Sequence, residues 1–203
     1  MSLEEYAGQA RPSTSNGRYN ETAFAISQQI AKLQTAMPVQ VVAVRGGGVA
    51  PVGYVDVRPM VQQLTGDGQP IDHGTITNVP YFRAQGGAAA VIIDPAIGDI
   101  GIAVFASRDI SAVKNARKVA PPGSRRQYDF SDGMYIGGIL NGTPTTYVQF
   151  TPEGVTIHAA TVRIEGDLHV TGTTTTSDNL KLDDHKHENV QPGSGQSGGP
   201  VNA

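Results

Sequence analysis

Hydrophobic positions first recur with a helical period. Ala23, Ile26, Ile30, Leu33 and Met37 alternate spacings of three and four, which makes one apolar stripe over residues 21–37. Asn20 stands where a side chain would cap this helix, and Glu21 falls in its first turn, beside the positive end of the dipole. Pro38 is expected to stop it. About two heptads fall short of a coiled coil, so packing on the chain's own domain is favoured over a seam between subunits. Residues 1–19 are polar and turn-rich, and read as an arm that orders only against a partner.

After Pro38 the period changes. Residues 39–44, 52–57 and 75–79 read as strands, and residues 88–93 and 100–106 are continuous apolar runs that suit buried strands. Gly46, Gly47 and Gly48 mark a turn after the first, and Gly66, Gly68 and Pro70 a loop before the third. Five short strands with glycine turns fit a small closed barrel, with an OB-like barrel as the leading reading and a plain sandwich as the alternative. Residues 108–127 form a hinge carrying Lys114, Arg117, Lys118, Arg125 and Arg126, either a solvated face or a docking surface.

From Asp129 onward each short strand has one thin apolar face. Residues 147–150 make one strand; Val155, Ile157 and Ala159 line the next, followed by Val162 and Ile164, then Leu168 and Val170. Thr161, Arg163, Glu165, Asp167, His169 and Thr171 face the other way, and Gly154, Gly166 and Gly172 supply turns. No segment is long enough to close a core alone. Such a ribbon becomes stable when several copies wrap around a common axis and pool their apolar faces; a lone sheet with open edges is the alternative. Residues 173–182 are a threonine tract running into Leu180, Lys181 and Leu182, and residues 191–203, rich in Gly, Ser, Pro and Asn, read in isolation as disordered.

Composition agrees with a mainly β chain: among 203 residues, 25 are glycine and 13 proline, while charged residues make up only 16%. With no cysteine, disulfides and thiolate metal sites are excluded. A formal net charge of −3 argues against a generic nucleic-acid binder. No apolar run approaches the roughly 20 residues that span a bilayer. The N-terminus lacks the basic region of a secretory signal, so synthesis is expected in the cytoplasm, with any membrane role mechanical or transient.

The singular chemistry lies in Asp183, Asp184, His185, Lys186, His187 and Glu188. In an extended strand His185 and His187 project to one side and Lys186 to the other. Two imidazoles hold a metal weakly, but three chains about a threefold axis would offer six, a set suited to octahedral coordination and unlike a four-coordinate structural zinc. Asp183, Asp184 and Glu188 could orient the rings. A bare His-x-His also occurs in solvated tails with incidental histidines. No enzyme is expected. Gly195, Ser197 and Gly199 match G-x-S-x-G, but in coil near the end of the chain rather than between strand and helix. Gly46, Gly47 and Gly48 lack the spacing and lysine of a phosphate loop. His158 and His169 sit on polar faces, His73 reads as a loop residue, and Asp94, Asp99 and Asp109 have no assignable nucleophile.

Residues 95–111 resemble the end of the N-terminal barrel in baseplate central spikes of contractile-tailed phages. Residues 164–172 look like the fibre strands of those spikes, and His185, Lys186 and His187 with the following Gly/Pro tail resemble their metal-binding apex. The resemblance covers nearly the whole chain, in the right order. It implies an arm and helix (1–37), an OB-like barrel (38–118), an intertwined trimeric β-helix (119–182) and an apex (183–203). It further implies a homotrimer with one iron ion held by His185 and His187 of each chain, zinc or nickel being less suited. The barrel would dock on and plug the baseplate hub, and the spike at the tip of the virion tail would pierce the host outer membrane when the sheath contracts. The alternative is a trimeric receptor-binding or adhesion fibre, which the sparse aromatics (6%) disfavour. A single-strand binder would need a basic groove with stacking aromatics.

Overall fold

The computed structural model describes residues 16–65, 67–177, 181–182 and 193. The chain divides into two compact units, Met1–Thr143 and Pro144–Ala203. In the first, helix α1 (Arg18–Ile30) leads into β1 (Ala36–Arg45) and β2 (Tyr54–Pro59). Two small hairpins, β3 (Gln63–Leu64) with β4 (Pro70–Ile71) and β6 (Ala84–Gly86) with β7 (Ala89–Val91), flank β5 (Ile76–Pro80). Strand β8 (Ile100–Phe105), a short helix α2 (Ser111–Ala116), a 3-10 turn (Phe130–Asp132) and β9 (Gly133–Ile136) complete the unit.

Five strands form one antiparallel sheet in the order β5-β2-β1-β8-β9. Alternation sends Val39 and Val41 of β1, Val55 and Val57 of β2, Ala103 and Phe105 of β8 and Tyr135 of β9 inward to a single core. Irregularities in the pairing between Val41 and Ala43, and between Val55 and Val57, increase the local twist. The sheet curls until its edges approach. Past β5, Tyr81 makes a parallel bridge to Tyr135, and the Phe82 N–H donates to the Tyr135 carbonyl at 2.8 Å. Gly101 permits this closure, because a Cβ there would stand 2.6 Å from the Tyr135 ring. The result is a half-barrel.

Several expectations change. Helix α1 ends at Ile30, well before Pro38, which lies inside β1 with its carbonyl accepting the Met60 N–H at 3.0 Å. Tertiary hydrogen bonds capture the chain first: the Gln34 N–H goes to Tyr128, and the Thr35 carbonyl accepts from Phe105. Gly17, not Asn20, occupies the N-cap position, and Asn20 donates back to the Asn16 carbonyl. No residue of α1 is buried, and Ile26, Ile30 and Leu33 are exposed, so the favoured packing on its own domain is corrected. Residues 88–93 are not a buried strand, for their place in the sheet is taken by β9. Strand β9 lies beyond residue 118, so the sheet draws on residues expected in the fibre.

Candidate functional site

In the second unit, β10 (Tyr147–Thr151) and β11 (Gly154–His158) form an antiparallel hairpin, turning at Gly154 with φ 147°. Val148 faces Ile157 and Phe150 faces Val155 across the ladder, while Tyr147/His158 and Gln149/Thr156 form the opposite face. Residues directly opposite share a side of the sheet, so the hairpin has one wholly apolar face. That face is uncovered: Val148 is 56% exposed, Phe150 77%, Val155 59% and Ile157 57%. On the other side His158 stacks on Tyr147 with ring centroids 5.1 Å apart.

The strip continues through Val162, Ile164, Leu168 and Val170, all exposed. The expected strands at 162–164 and 168–170 carry no ladder within one chain; besides the hairpin, the unit's described residues show one bridge, Thr175 to Lys181. The Arg163–Glu165 ion pair (3.2 Å) lies in solvent and holds little together. Among the described residues of this unit, none is buried. A two-stranded hairpin without a covered apolar face is at best marginally stable in water.

The acidic residues singled out in the first unit serve its loops. Asp94 accepts the Gly48 N–H at 2.5 Å, the Tyr81 hydroxyl at 2.7 Å and Arg83 Nη2 at 3.1 Å. These bonds, the Gly48 amide foremost, hold its carboxyl below the ordinary value. The glycine run is thus a β1–β2 turn tied to a carboxylate, the reverse of an anion cradle. Asp99 accepts from the Ala96 N–H (2.8 Å) and Asn141 (3.1 Å). His73 meets Gln63 at 3.1 Å and sets its ring edge-on to Phe130.

The basic hinge is only partly a surface. Arg126 turns inward, its Nε and Nη2 donating to Asp132 at 2.7 and 3.0 Å and its Nη2 pairing with Asp109 at 2.8 Å. The Asp132 side chain is fully buried and that of Asp109 nearly so. Hydrogen bonds from Ser111, then Ser124 and the charge of Arg126, hold Asp109 down to about 2. Sequence reasoning missed this clamp, as it missed the Asp56 carboxylate, which takes two N–H groups of Arg45 and the Asn78 amide. Arg45 and Asp56 meet across the β1–β2 ladder, whose register the spacing of the two strands does not reveal, and Arg126 reaches Asp109 and Asp132 only once the chain between them has turned back.

His185 and His187, with Asp183, Asp184 and Glu188, lie outside the described residues, as do residues 1–15 of the arm and most of the Gly/Pro tail. Among the described residues no group of three or more His, Asp or Glu could hold a metal ion, and no helix is long and apolar enough to cross a membrane.

The chain is thus mainly β, with a curled half-barrel in its first unit and, in its second, no buried residue among those described. Residues 37–138 match the family described as the phage protein Gp138 N-terminal domain, and residues 181–201 match the GpV Apex motif. No curated protein matches the chain. The first match covers half of the sequence, and the chain belongs to the Gp138 N-terminal domain family. With an apex motif at its other end, it is a phage central spike protein, a component of the tail.

Proposed function

We propose that three copies of this chain form the membrane-puncturing point of a contractile tail. The observation that carries the reading is the uncovered apolar strip of the second unit, in which no described residue is buried. Wrapping three strips around one axis would bury Val148, Phe150, Val155 and Ile157 against their counterparts and satisfy the strand edges between chains. Such an intertwined β-helix resists bending and suits a part that is pushed. The exposed stripe of Ile26, Ile30 and Leu33 offers the copies a further common surface.

The curled sheet is read as an OB-like barrel. Its strand order and the parallel Tyr81–Tyr135 bridge support a five-stranded, partly open Greek-key closure. As a collar it would dock on the baseplate hub and plug it, at the tip of the virion tail, after synthesis in the host cytoplasm. Sheath contraction would then drive the point through the outer membrane. The reading assigns no enzymatic step and no nucleic-acid partner to the chain.

At the apex, His185 and His187 of each chain would hold one iron ion. The donor set fits: imidazole suits iron, and two residues from each of three chains fill six positions. The ion supplies a cross-link between three chain ends that have little hydrophobic surface to share. Elemental analysis of the purified protein, with its mass in solution, tests the assembly. One iron per trimer is the expected result, and a metal-free monomer refutes it. Replacing both His185 and His187 with Ala should abolish the metal and leave the trimer. A double variant that keeps its iron would overturn the ligand assignment alone.

A further inference from the structure

An open groove of about 970 Å3 lies on the first unit, bordered by the β1–β2 turn, helix α2 and β9. Val49, Val52, Val113 and Met134 supply apolar lining. Three of them face solvent, Val49 at 99%, Val113 at 43% and Met134 at 41% exposure. Two cations, Lys114 and Arg117, join them from α2 and its C-terminal cap, and no carboxylate is among the lining residues. Lys114 reaches only the neutral carbonyls of Asn78 and Ser131, at 3.4 and 3.3 Å. Among the described residues neither cation makes an ion pair, since the carboxylates of this unit that form them are taken by Arg45, Arg83 and Arg126.

An occupant of this groove must bring negative charge beside apolar side chains. The chain carries such a segment in Leu3, Glu4, Glu5 and Tyr6, which belong to the same unit and lie outside the described residues. Glu4 and Glu5 are the only acidic residues before Asn16. The other acidic pair outside the described residues, Asp183 and Asp184, belongs to the second unit and to the apex match. Residues 7–16 span up to about 33–36 Å when extended, more than twice the radius of gyration of about 15 Å expected for a unit of this length. A tether of that reach makes docking intramolecular, at an effective concentration in the millimolar range. Ion pairs that are individually weak at a surface then suffice.

We propose that the N-terminal segment around Leu3–Tyr6 docks in the groove of its own chain, Glu4 and Glu5 pairing with Lys114 and Arg117 while Leu3 and Tyr6 cover Val49, Val113 and Met134. The assignment is independent of the spike reading. The test uses the full chain in its native assembly, treated with a carbodiimide that joins a carboxylate to an amine in direct contact. Peptide mass spectrometry should find Glu4 or Glu5 joined to Lys114. In assemblies made from a mixture of unlabelled and heavy-isotope chains, each joined pair should come from one chain; pairs formed only between chains overturn the proposal. The Met134 methyl signal supplies a second reading, and should move when residues 1–12 are removed. Glu4→Lys with Glu5→Lys should move it likewise, and adding Lys114→Glu with Arg117→Glu should bring it back, a recovery that misfolding cannot produce. If the Lys114 variant fails to fold, Arg117→Glu alone should lower the cross-link yield about five-fold. Absence of the cross-link, with a Met134 signal that truncation leaves unmoved, overturns the proposal. So does a folded charge-swapped protein whose signal stays at the truncated position.

Discussion

Replacing Val148 and Ile157 together by serine removes one cross-strand pair from the apolar face of the β10–β11 hairpin. In a single chain these side chains are 56% and 57% exposed, so just over half of each is available for burial between copies. Full burial of such a side chain is worth about 1.5–3 kcal/mol, so covering the exposed part yields about 0.8–1.7 kcal/mol each. Two side chains in each of three chains amount to roughly 5–10 kcal/mol for the proposed trimer. That weakens association by a factor of about a thousand or more. Sedimentation velocity over a range of concentrations reads this directly, as a shift from trimer to monomer. The control is Gln149→Ser with Thr156→Ser, the pair on the opposite face, which should leave the mass unchanged. A Val148→Ser/Ile157→Ser protein that keeps the wild-type mass at every dilution would refute the pooling of apolar strips.

Other consequences concern the first unit. Arg126→Met keeps the aliphatic stem but leaves the fully buried Asp132 without its cation; denaturant unfolding should show a loss of about 3–5 kcal/mol. Asp109 is held down to about 2 from an ordinary 3.8, so its stabilising contribution is present above pH 3.8 and lost as pH falls from there through about 2. Acid titration of the fold should show that limb, and Asp109→Asn should flatten it. Tyr135 is pushed up to about 12 by burial and the charge of Asp99, so stability should fall as pH rises from 10 towards 12, and Tyr135→Phe should remove that dependence. Gly101→Ala would drive a methyl group into the Tyr135 ring and the Ile136 carbonyl. It should cost about 1–3 kcal/mol, seen as faster amide exchange in β9 than in β2.

The strands with period-two alternation were readable from sequence because both the inward and the outward residues declare themselves. Val39 and Val41, and Ala103 and Phe105, are examples. Strand β9 was not, since within it Tyr135 is the one large inward side chain and Met134 and Ile136 point outward at 41% and 45% exposure. The run at 88–93 misled because apolar character alone assigns no place in a sheet: Val91, Ile92 and Ile93 are bulky yet exposed, and Ala89–Val91 pairs with β6 in a small hairpin instead. The stripe Ala23, Ile26, Ile30, Leu33 and Met37 mixed two elements, for Met37 belongs to β1 and packs against the core. Helical spacing cannot reveal that the Tyr128 and Phe105 backbones will claim the intervening residues. At the candidate site the alternation of Val148, Phe150, Val155 and Ile157 was legible in full, whereas His185 and His187 lie outside the described residues.

The order of elements along the chain also has a temporal meaning. The half-barrel needs β9 before its edges can meet, and β9 ends at Ile136, ahead of the first strand of the ribbon at Tyr147. Domains fold N-terminal first as they leave the ribosome. Each nascent chain can thus complete the sheet of its first unit before the apolar strip emerges. In the proposed trimer, the strip that would pair with other copies is therefore made only after the first unit is able to close.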